Sequence, residues 1–330
     1  LLNSWEAAYF DINERKLLSL AKAGKEAGIE LFVMDDGWFA KRDNDTRSLG
    51  DWQPNPKKLP GGLKGIADKI RAIGMDFGIW VEPEMVNVDS DLYRSHPDWV
   101  IEIPGKAHSE GRNQRILDLT RKDVQDHIIE EMGRVFSSAD ISYVKWDMNR
   151  TFSDYFSQSI RPERQGEVAH RYVMGLYRCM RELTKRFPDI QTGYSYGYPM
   201  SVISAHVSGC PNHQTLRTTP LETRFAVAAF GLLGYECNFC DLKKEESEAI
   251  KAQIILYKKW RSVLQQGIFY RGRSFTGNGR GNAFGKNSVL WNDDSNVTEW
   301  TCVSPDQSKA VGFVMQKLVV PNTQFGYYKP

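Results

Sequence analysis

Three apolar runs in this sequence end in acidic residues, and the third, Tyr143-Val-Lys-Trp-Asp-Met-Asn149, spaces its polar groups for nucleophilic chemistry. Successive side chains of a β-strand point to opposite faces. Lys145, Asp147 and Asn149 are therefore expected on one face, and Val144, Trp146 and Met148 on the other. An ammonium on the same face keeps a carboxylate ionised, because the cation favours the charged form. An ionised aspartate facing a cavity is what covalent catalysis at a sugar's anomeric carbon requires. A buried Lys–Asp pair that satisfies only itself fits the same spacing.

The first run, Leu31-Phe-Val-Met, leads into Asp35-Asp36-Gly-Trp38, and the second, Phe77-Gly-Ile-Trp-Val, into Glu82-Pro-Glu84. Adjacent carboxylates can accept hydrogen bonds from neighbouring sugar hydroxyls, while a turn or cap before Gly37 uses Asp equally well. Asp35, Asp36, Glu82 and Glu84 are also hard oxygen ligands of the kind Mg²⁺ takes. No His lies at ligand spacing to them, and Lys145 at the same mouth disfavours a cation, so a metal ranks last. Trp38 and Trp80 adjoin the acids and suit either sugar stacking or packing. His206 and His213 read as satisfied structural groups. No Gly-x-Ser-x-Gly elbow supports a serine triad.

These acids need elements that bring them together. Helix 14–27 stops at Gly28, strand 31–34 follows, and acids come next; helix 63–73, Gly74 and strand 77–81 repeat the order. Glycine supplies the left-handed residue that ends a helix. Helix 123–137 leads to strand 143–149, helix 168–187 follows, segments 200–210 and 229–240 read as strands, and helix 244–264 closes the series. Helices alternating with apolar strands form parallel βα units. In a (β/α)8 TIM barrel the C-terminal strand ends converge on one face, where the active site lies. An open doubly wound sheet would carry a Gly-rich phosphate loop after its first strand, which is missing here; Gly277-Asn-Gly-Arg-Gly-Asn is turn-rich and does not fit that pattern. After Gly267, alternation around Val289–Trp291, Glu299–Val303 and Ala310–Met315 reads as a small antiparallel β domain. The division expected is 1–266 for the barrel and 267–330 for the β domain, which looks incomplete.

Composition excludes other classes. The 330 residues carry 43 Lys+Arg against 41 Asp+Glu, with no basic block to bind nucleic acid. No apolar run approaches a membrane span. Five scattered Cys argue against a disulfide framework and for a reducing compartment, the cytoplasm. Cys237-Asn-Phe-Cys240 has no second pair to complete a zinc site and reads as two small buried residues. The chain starts at Leu1 in an apolar segment and reads as a piece of something longer. The sequon at Asn149 falls among the candidate site residues and reads as chance; a second begins at Asn296.

Met34-Asp-Asp-Gly-Trp-Phe39, Gly50-Asp-Trp, Gly78-Ile-Trp-Val-Glu-Pro-Glu-Met85, Arg112-Asn-Gln, Val144-Lys-Trp-Asp-Met-Asn149, Ala205-His-Val-Ser and Pro211-Asn-His-Gln occur in this order. Together they closely resemble the microbial α-galactosidases of glycoside hydrolase family 36, over nearly the whole chain. The resemblance implies a retaining double displacement on a (β/α)8 barrel with no metal or organic cofactor. Asp147 matches the nucleophile, and Lys145 and Asn149 match sugar-binding positions beside it. Asp35 and Asp36 match the pair holding the hydroxyls distal to the scissile bond. Trp80 matches the ring lining the subsite, and Arg112 a nearby polar contact. The implied partner is a small carbohydrate, neither nucleic acid nor membrane, and the implied assembly a homotetramer.

The family's Cys-Ser-Gly-Gly-Gly segment on strand five and the Ser-Asp-Asx-Thr-Asp segment on strand six, which supplies the acid/base, do not occur here. The run ending Arg186-Phe-Pro-Asp-Ile190 resembles the approach to strand five, and Gln191-Thr-Gly-Tyr-Ser-Tyr-Gly-Tyr-Pro199 resembles the helix after strand six. Two strands are thus expected to be missing near 190/191, leaving six units where closure needs eight. A physical gap between Ile190 and Gln191, far wider than a peptide bond, is expected. The functional expectation is an exo-α-galactosidase acting on melibiose- and raffinose-type sugars. Alternatives are an α-N-acetylgalactosaminidase, a galactosyl-transferring relative or, if the join is real, a non-catalytic galactose-binding protein.

Overall fold

The computed structural model describes residues 1–109, 111–193, 203–271 and 297–316. The chain opens with β1 (Leu2–Asn3) and the short α1 (Trp5–Ala8), then α2 (Glu14–Glu26) and β2 (Leu31–Met34). Next come α3 (Gly62–Ala72), β3 (Asp76–Val81), a hairpin of β4 (Met85–Asn87) and β5 (Gln114–Ile116) flanking α4 (Asp91–Ser95), and then α5 (Lys122–Ser137). The strand β6 (Tyr143–Trp146), α6 (Val168–Arg186), β7 (Gln191–Gly193), β8 (Ser204–Ser208), α7 (Leu221–Ala228), β9 (Leu232–Glu236) and α8 (Lys244–Gln266) follow. The chain then builds β10 (Ile268–Arg271), β11 (Val297–Val303) and β12 (Ala310–Gln316).

Local sequence explains the helices. In α2 the side chain of Asn13 caps the first turn by accepting from the Lys16 amide, and Leu17, Leu20, Ala21 and Gly24 form the buried stripe. Each leucine fully buried there contributes roughly 1.5–3 kcal/mol. Gly28 and Gly74 take φ of 95° and 84°, the left-handed cap that a β-carbon would strain. In α5, Val124, Ile128, Met132 and Val135 give the same helical stripe.

Seven parallel strands form one sheet in the order β7-β6-β3-β2-β1-β9-β8. The sheet is curled. Strands β6 and β8 lie five places apart, which would be about 24 Å in a flat sheet. Yet the Tyr143 hydroxyl of β6 lies 2.8 Å from the Ser204 hydroxyl of β8. The apolar core fills the curl and the layer beneath the helices, with Phe32, Phe77, Ile79, Val144 and Val207 buried. A separate three-stranded antiparallel sheet, β10-β11-β12, packs against α8, with Cys302 and Leu264 buried.

Several expectations change. Six units were expected and seven strands are observed, because Gln191-Thr-Gly forms β7 and pairs with β6, Lys145 facing Gly193. Reading 191–199 as a helix therefore fails at 191–193, where the free edge of β6 offers ladder hydrogen bonds; residues 194–199 lie outside the described residues. Ile190 closes the turn after α6 on Phe187, and Gln191 is the first residue of β7. Among the described residues no ladder joins β7 to β8, so a closed eight-stranded barrel is not seen. The strand expected around Val289–Trp291 lies outside the described residues, whereas β10 is a strand that alternation after Gly267 had not suggested. Cys237 is buried, but Cys240 is exposed.

Candidate active site

The C-terminal ends of β2, β3, β6, β8 and β9 open on a cavity of about 370 Å³, within the usual range for small-ligand pockets. Its wall includes Asp35, Asp36, Trp80, Arg112, Lys145, Asp147 and Asn149, the seven residues singled out in the sequence. Parallel register accounts for the convergence: Met34 aligns with Ile79, and Trp80 with Lys145, so the residues that follow leave the sheet at one level.

Asp147 is fixed by donors, not by an ion pair. Trp80 Nε1 donates to its Oδ2 at 2.8 Å, Asn149 Nδ2 donates to the same oxygen at 2.7 Å, and the Met148 amide donates to Oδ1 at 3.0 Å. The strand ends at Trp146, earlier than the alternation to Asn149 suggested. A turn therefore places Asp147 and Asn149, and Met148 is exposed, not packed beneath the helices. Val144 and Trp146 border the helix layer, against Phe136 and Leu183, and Trp146 also lines the cavity.

Lys145 has different partners from those expected. Its ammonium contacts Asp35 Oδ2 at 2.9 Å and Glu236 Oε1 at 3.4 Å. Burial opposes its charge, but Asp35, Glu236 and Asp147 outweigh that and raise its pKa above the usual lysine value. Asp147 thus feels the cation through space, while Asp35 and Glu236 hold it. Asp35 also accepts from Asn3 Nδ2 at 2.6 Å. Asp36 is clamped by the buried guanidinium of Arg42, with Nη2 to Oδ2 at 2.8 Å and Nε to Oδ1 at 3.0 Å. Burial still raises the Asp36 carboxyl above the usual range.

Behind this wall lie two buried glutamates. Glu84 accepts from Trp146 Nε1 at 2.9 Å and from the Tyr172 hydroxyl at 2.7 Å, and burial raises its pKa. Glu82 accepts from the Asn149 amide and from Gln114 Nε2 at 3.0 Å. With Lys145 on Asp35, Arg42 on Asp36, and neutral donors on Glu82 and Glu84, the four acids do not converge on one point. Among the described residues no group of three or more His, Cys, Asp or Glu is placed to hold a metal ion.

Trp38 is fully buried and donates to the Trp80 carbonyl at 3.0 Å, so it is packing and not a sugar platform. Arg112 is exposed at the rim with φ of 53°. The spacing argument missed Trp5, Ser204, Gln214 and Glu236, which also line the cavity. It also read His206 and His213 as structural, yet both face the cavity. Glu236 carried the very signal that flagged Asp35: an acid ending an apolar strand, here Leu232–Tyr235. Burial pushes Glu236 up to about 7 even though Lys145 pulls it down. Burial, with Lys145 nearby, pushes the His206 imidazole down to about 3, so it is neutral.

A family profile described as melibiase matches residues 1–192 and again 189–267. Alpha-galactosidase AgaA of Geobacillus stearothermophilus is 42% identical and covers 100% of this chain and 48% of that protein. Alpha-galactosidase 1 of Pediococcus pentosaceus is 40% identical, over 95% of this chain and 46% of that protein. A crystal structure of a variant of the Geobacillus enzyme, a GH36 α-galactosidase in complex with raffinose, superposes with TM-score 0.86 at 41% identity, covering 100% of this chain and 49% of that one. The chain spans about half the length of the curated relatives it matches. The AgaA match takes in all 330 residues here yet runs over 366 positions, so AgaA has positions without a counterpart. The profile breaks at 189–192, the join noted in the sequence.

Proposed function

Because this chain belongs to the melibiase family, the family 36 α-galactosidases, we propose that the protein removes terminal α-linked galactose from melibiose- and raffinose-type oligosaccharides with retention of configuration. The reading rests on Asp147, oriented by Trp80 and Asn149 at the wall of a sugar-sized cavity. Oδ2 is committed to two donors, and Oδ1, with one backbone donor, is the oxygen left to attack the anomeric carbon. The glycosidic C–O bond breaks with its electron pair on the leaving oxygen, and a galactosyl ester forms on Asp147; water then cleaves that ester. Asp35, in contact with Lys145, and Asp36, in contact with Arg42, serve as acceptors for galactose hydroxyls. Trp80 and Arg112 shape the pocket.

The curled sheet serves in this reading as the family's (β/α)8 barrel, spanning residues 1–266 and shortened at the 190/191 join, with residues 267–330 as the C-terminal β domain. The protein acts on small carbohydrates and not on nucleic acid or membranes, as a homotetramer in the cytoplasm. No helix among the described residues is long and apolar enough to cross a membrane. The test is hydrolysis of p-nitrophenyl α-galactoside by Asp147→Asn, with a loss of about 10⁴-fold or more expected; cleavage at the parental rate would overturn the assignment. Parallel assays on the N-acetylgalactosaminide, with product analysis for transfer, separate the two catalytic alternatives.

A second reading starts from the 190/191 join, where the family profile also breaks. No acid of the Ser-Asp-Asx-Thr-Asp kind occurs in this sequence, and three of the four cavity carboxylates are engaged by Lys145 or Arg42. A chain without a proton donor binds galactose and leaves unactivated sugars uncleaved. Binding of galactose and raffinose without cleavage of raffinose would establish it.

A further inference from the structure

Glu82 directly follows β3, two residues after Trp80, and is fully buried. Unlike Asp35, Asp36 and Glu236, it has no lysine or arginine in contact among the described residues. One oxygen accepts the backbone N–H of Asn149 and the other accepts the Gln114 side chain. The first contact grips the turn that carries Asp147. The second grips the hairpin end next to Arg112 and Asn113, whose φ values of 53° and 58° put both in the left-handed region. Gln114 in turn anchors the far side of the Asp147 turn, since its carbonyl accepts from Arg150 Nη1 at 2.6 Å. Glu82 is therefore the junction between the nucleophile turn and the loop presenting Arg112.

The surroundings of Glu82 bear on its protonation state. Both of its oxygens meet neutral donors, and among the described residues no lysine or arginine contacts it. A carboxylate there places an uncompensated charge in the interior, which is strongly unfavourable. A carboxylic acid keeps the Asn149 bond through one oxygen and can donate its O–H to the Gln114 amide oxygen once that amide is turned over. The titratable groups facing it are Asp147 after β6 and Asp36 after β2, both acidic.

We propose that Glu82 is a positioning residue, an un-ionised carboxylic acid that locks the Asp147 turn to the Arg112 loop. Burial first, and the Asp147 charge second, push its pKa up to about 8. Below that pH the strut holds; as pH rises through it, Glu82 ionises beside Asp147 and the strut loosens. This proposal rests on the galactosidase reading for its kinetic consequences but not for its consequence for folding.

Three variants of the intact protein test it: Glu82→Gln, Glu82→Asp and Glu82→Ala, with p-nitrophenyl α-galactoside as the probe. Glu82→Ala should lower kcat and raise KM together, since it frees both loops, and Glu82→Asp should behave similarly because it is too short to span them. Glu82→Gln, which can donate to Gln114 Oε1 and accept from Asn149, should rescue most of the loss. It should also abolish the fall in activity that the parent shows as pH rises through about 8. If Glu82→Gln is as impaired as Glu82→Ala, or keeps the parental alkaline limb, the proposal fails. Urea unfolding supplies a readout without substrate. A carboxyl with a raised folded pKa contributes stability that is fully present below its ordinary value of 4.5 and declines as pH rises toward 8. The parent should show that decline and Glu82→Gln should lack it; equal pH dependence overturns the inference whatever the enzyme assay reads. Should the parent neither bind galactose nor cleave the probe, the functional reading falls while the folding comparison still decides Glu82.

Discussion

Between β2 and β6 the strand ends carry Asp35, Asp36, Trp80, Lys145 and Asp147, each with the partners described: Asp35 with Lys145 and Asn3, Asp36 with Arg42, Asp147 with Trp80 and Asn149. At the other flank, among the described residues, β7 pairs only with β6 and β8 only with β9, and the profile match breaks beside β7. In the proposed reading the well-packed flank holds the hexose and attacks it. The interrupted flank is where a retaining hydrolase of this family would place its proton donor. That reading puts binding and nucleophilic attack on one stretch of chain and leaving-group protonation on another, so that one could persist without the other.

The sharpest test of that contrast after the nucleophile itself uses the leaving group. General acid catalysis contributes about 10²–10⁴-fold when the departing oxygen is a poor leaving group, and little when it is a nitrophenolate. Turnover of raffinose should therefore fall behind that of the aryl galactoside by a margin of this size. Similar rates would mean that a proton donor does serve the interrupted flank, with His213 at the cavity rim the first to substitute.

A second experiment probes how rigid the packed flank is. Arg42 is wholly buried against Asp36 and also donates to Asn87 Oδ1 at 2.9 Å. Arg42→Met leaves a buried carboxylate without its cation, which should cost about 3–5 kcal/mol in urea unfolding. A loss below about 1 kcal/mol would show that Asp36 simply takes up a proton, and that this flank tolerates disruption. The smallest effect is local: the amides of β7 should exchange with solvent faster than those of β3, because edge strands open more readily. Equal protection would indicate that another segment covers the β7 edge.

Much of the architecture was readable without coordinates. Helical periodicity with Gly28 and Gly74 behind it located α2 and α3 to within a residue or two, because a left-handed cap is a local requirement. Acids closing apolar strands marked the cavity face, because parallel strands end level. The Lys145–Asp147 pairing was misread for a physical reason. Alternation says which face a side chain takes, but it does not say which oxygen across the curl lies nearest, and Lys145 found Asp35 and Glu236 instead. Trp38 and Trp80 look alike beside acids in the sequence, yet one is buried packing and the other donates to Asp147.

The sequence by itself determined the alternation of helix and strand, the level at which the acids emerge, and seven of the residues around the cavity. These follow from short-range rules of periodicity, capping and pleat. Tertiary structure alone decided that β6 and β8 meet across a curl, that donors and not a lysine orient Asp147, and that Glu82 spans two loops distant in sequence. Those contacts depend on strand order and curvature, which bring together groups that no local pattern connects.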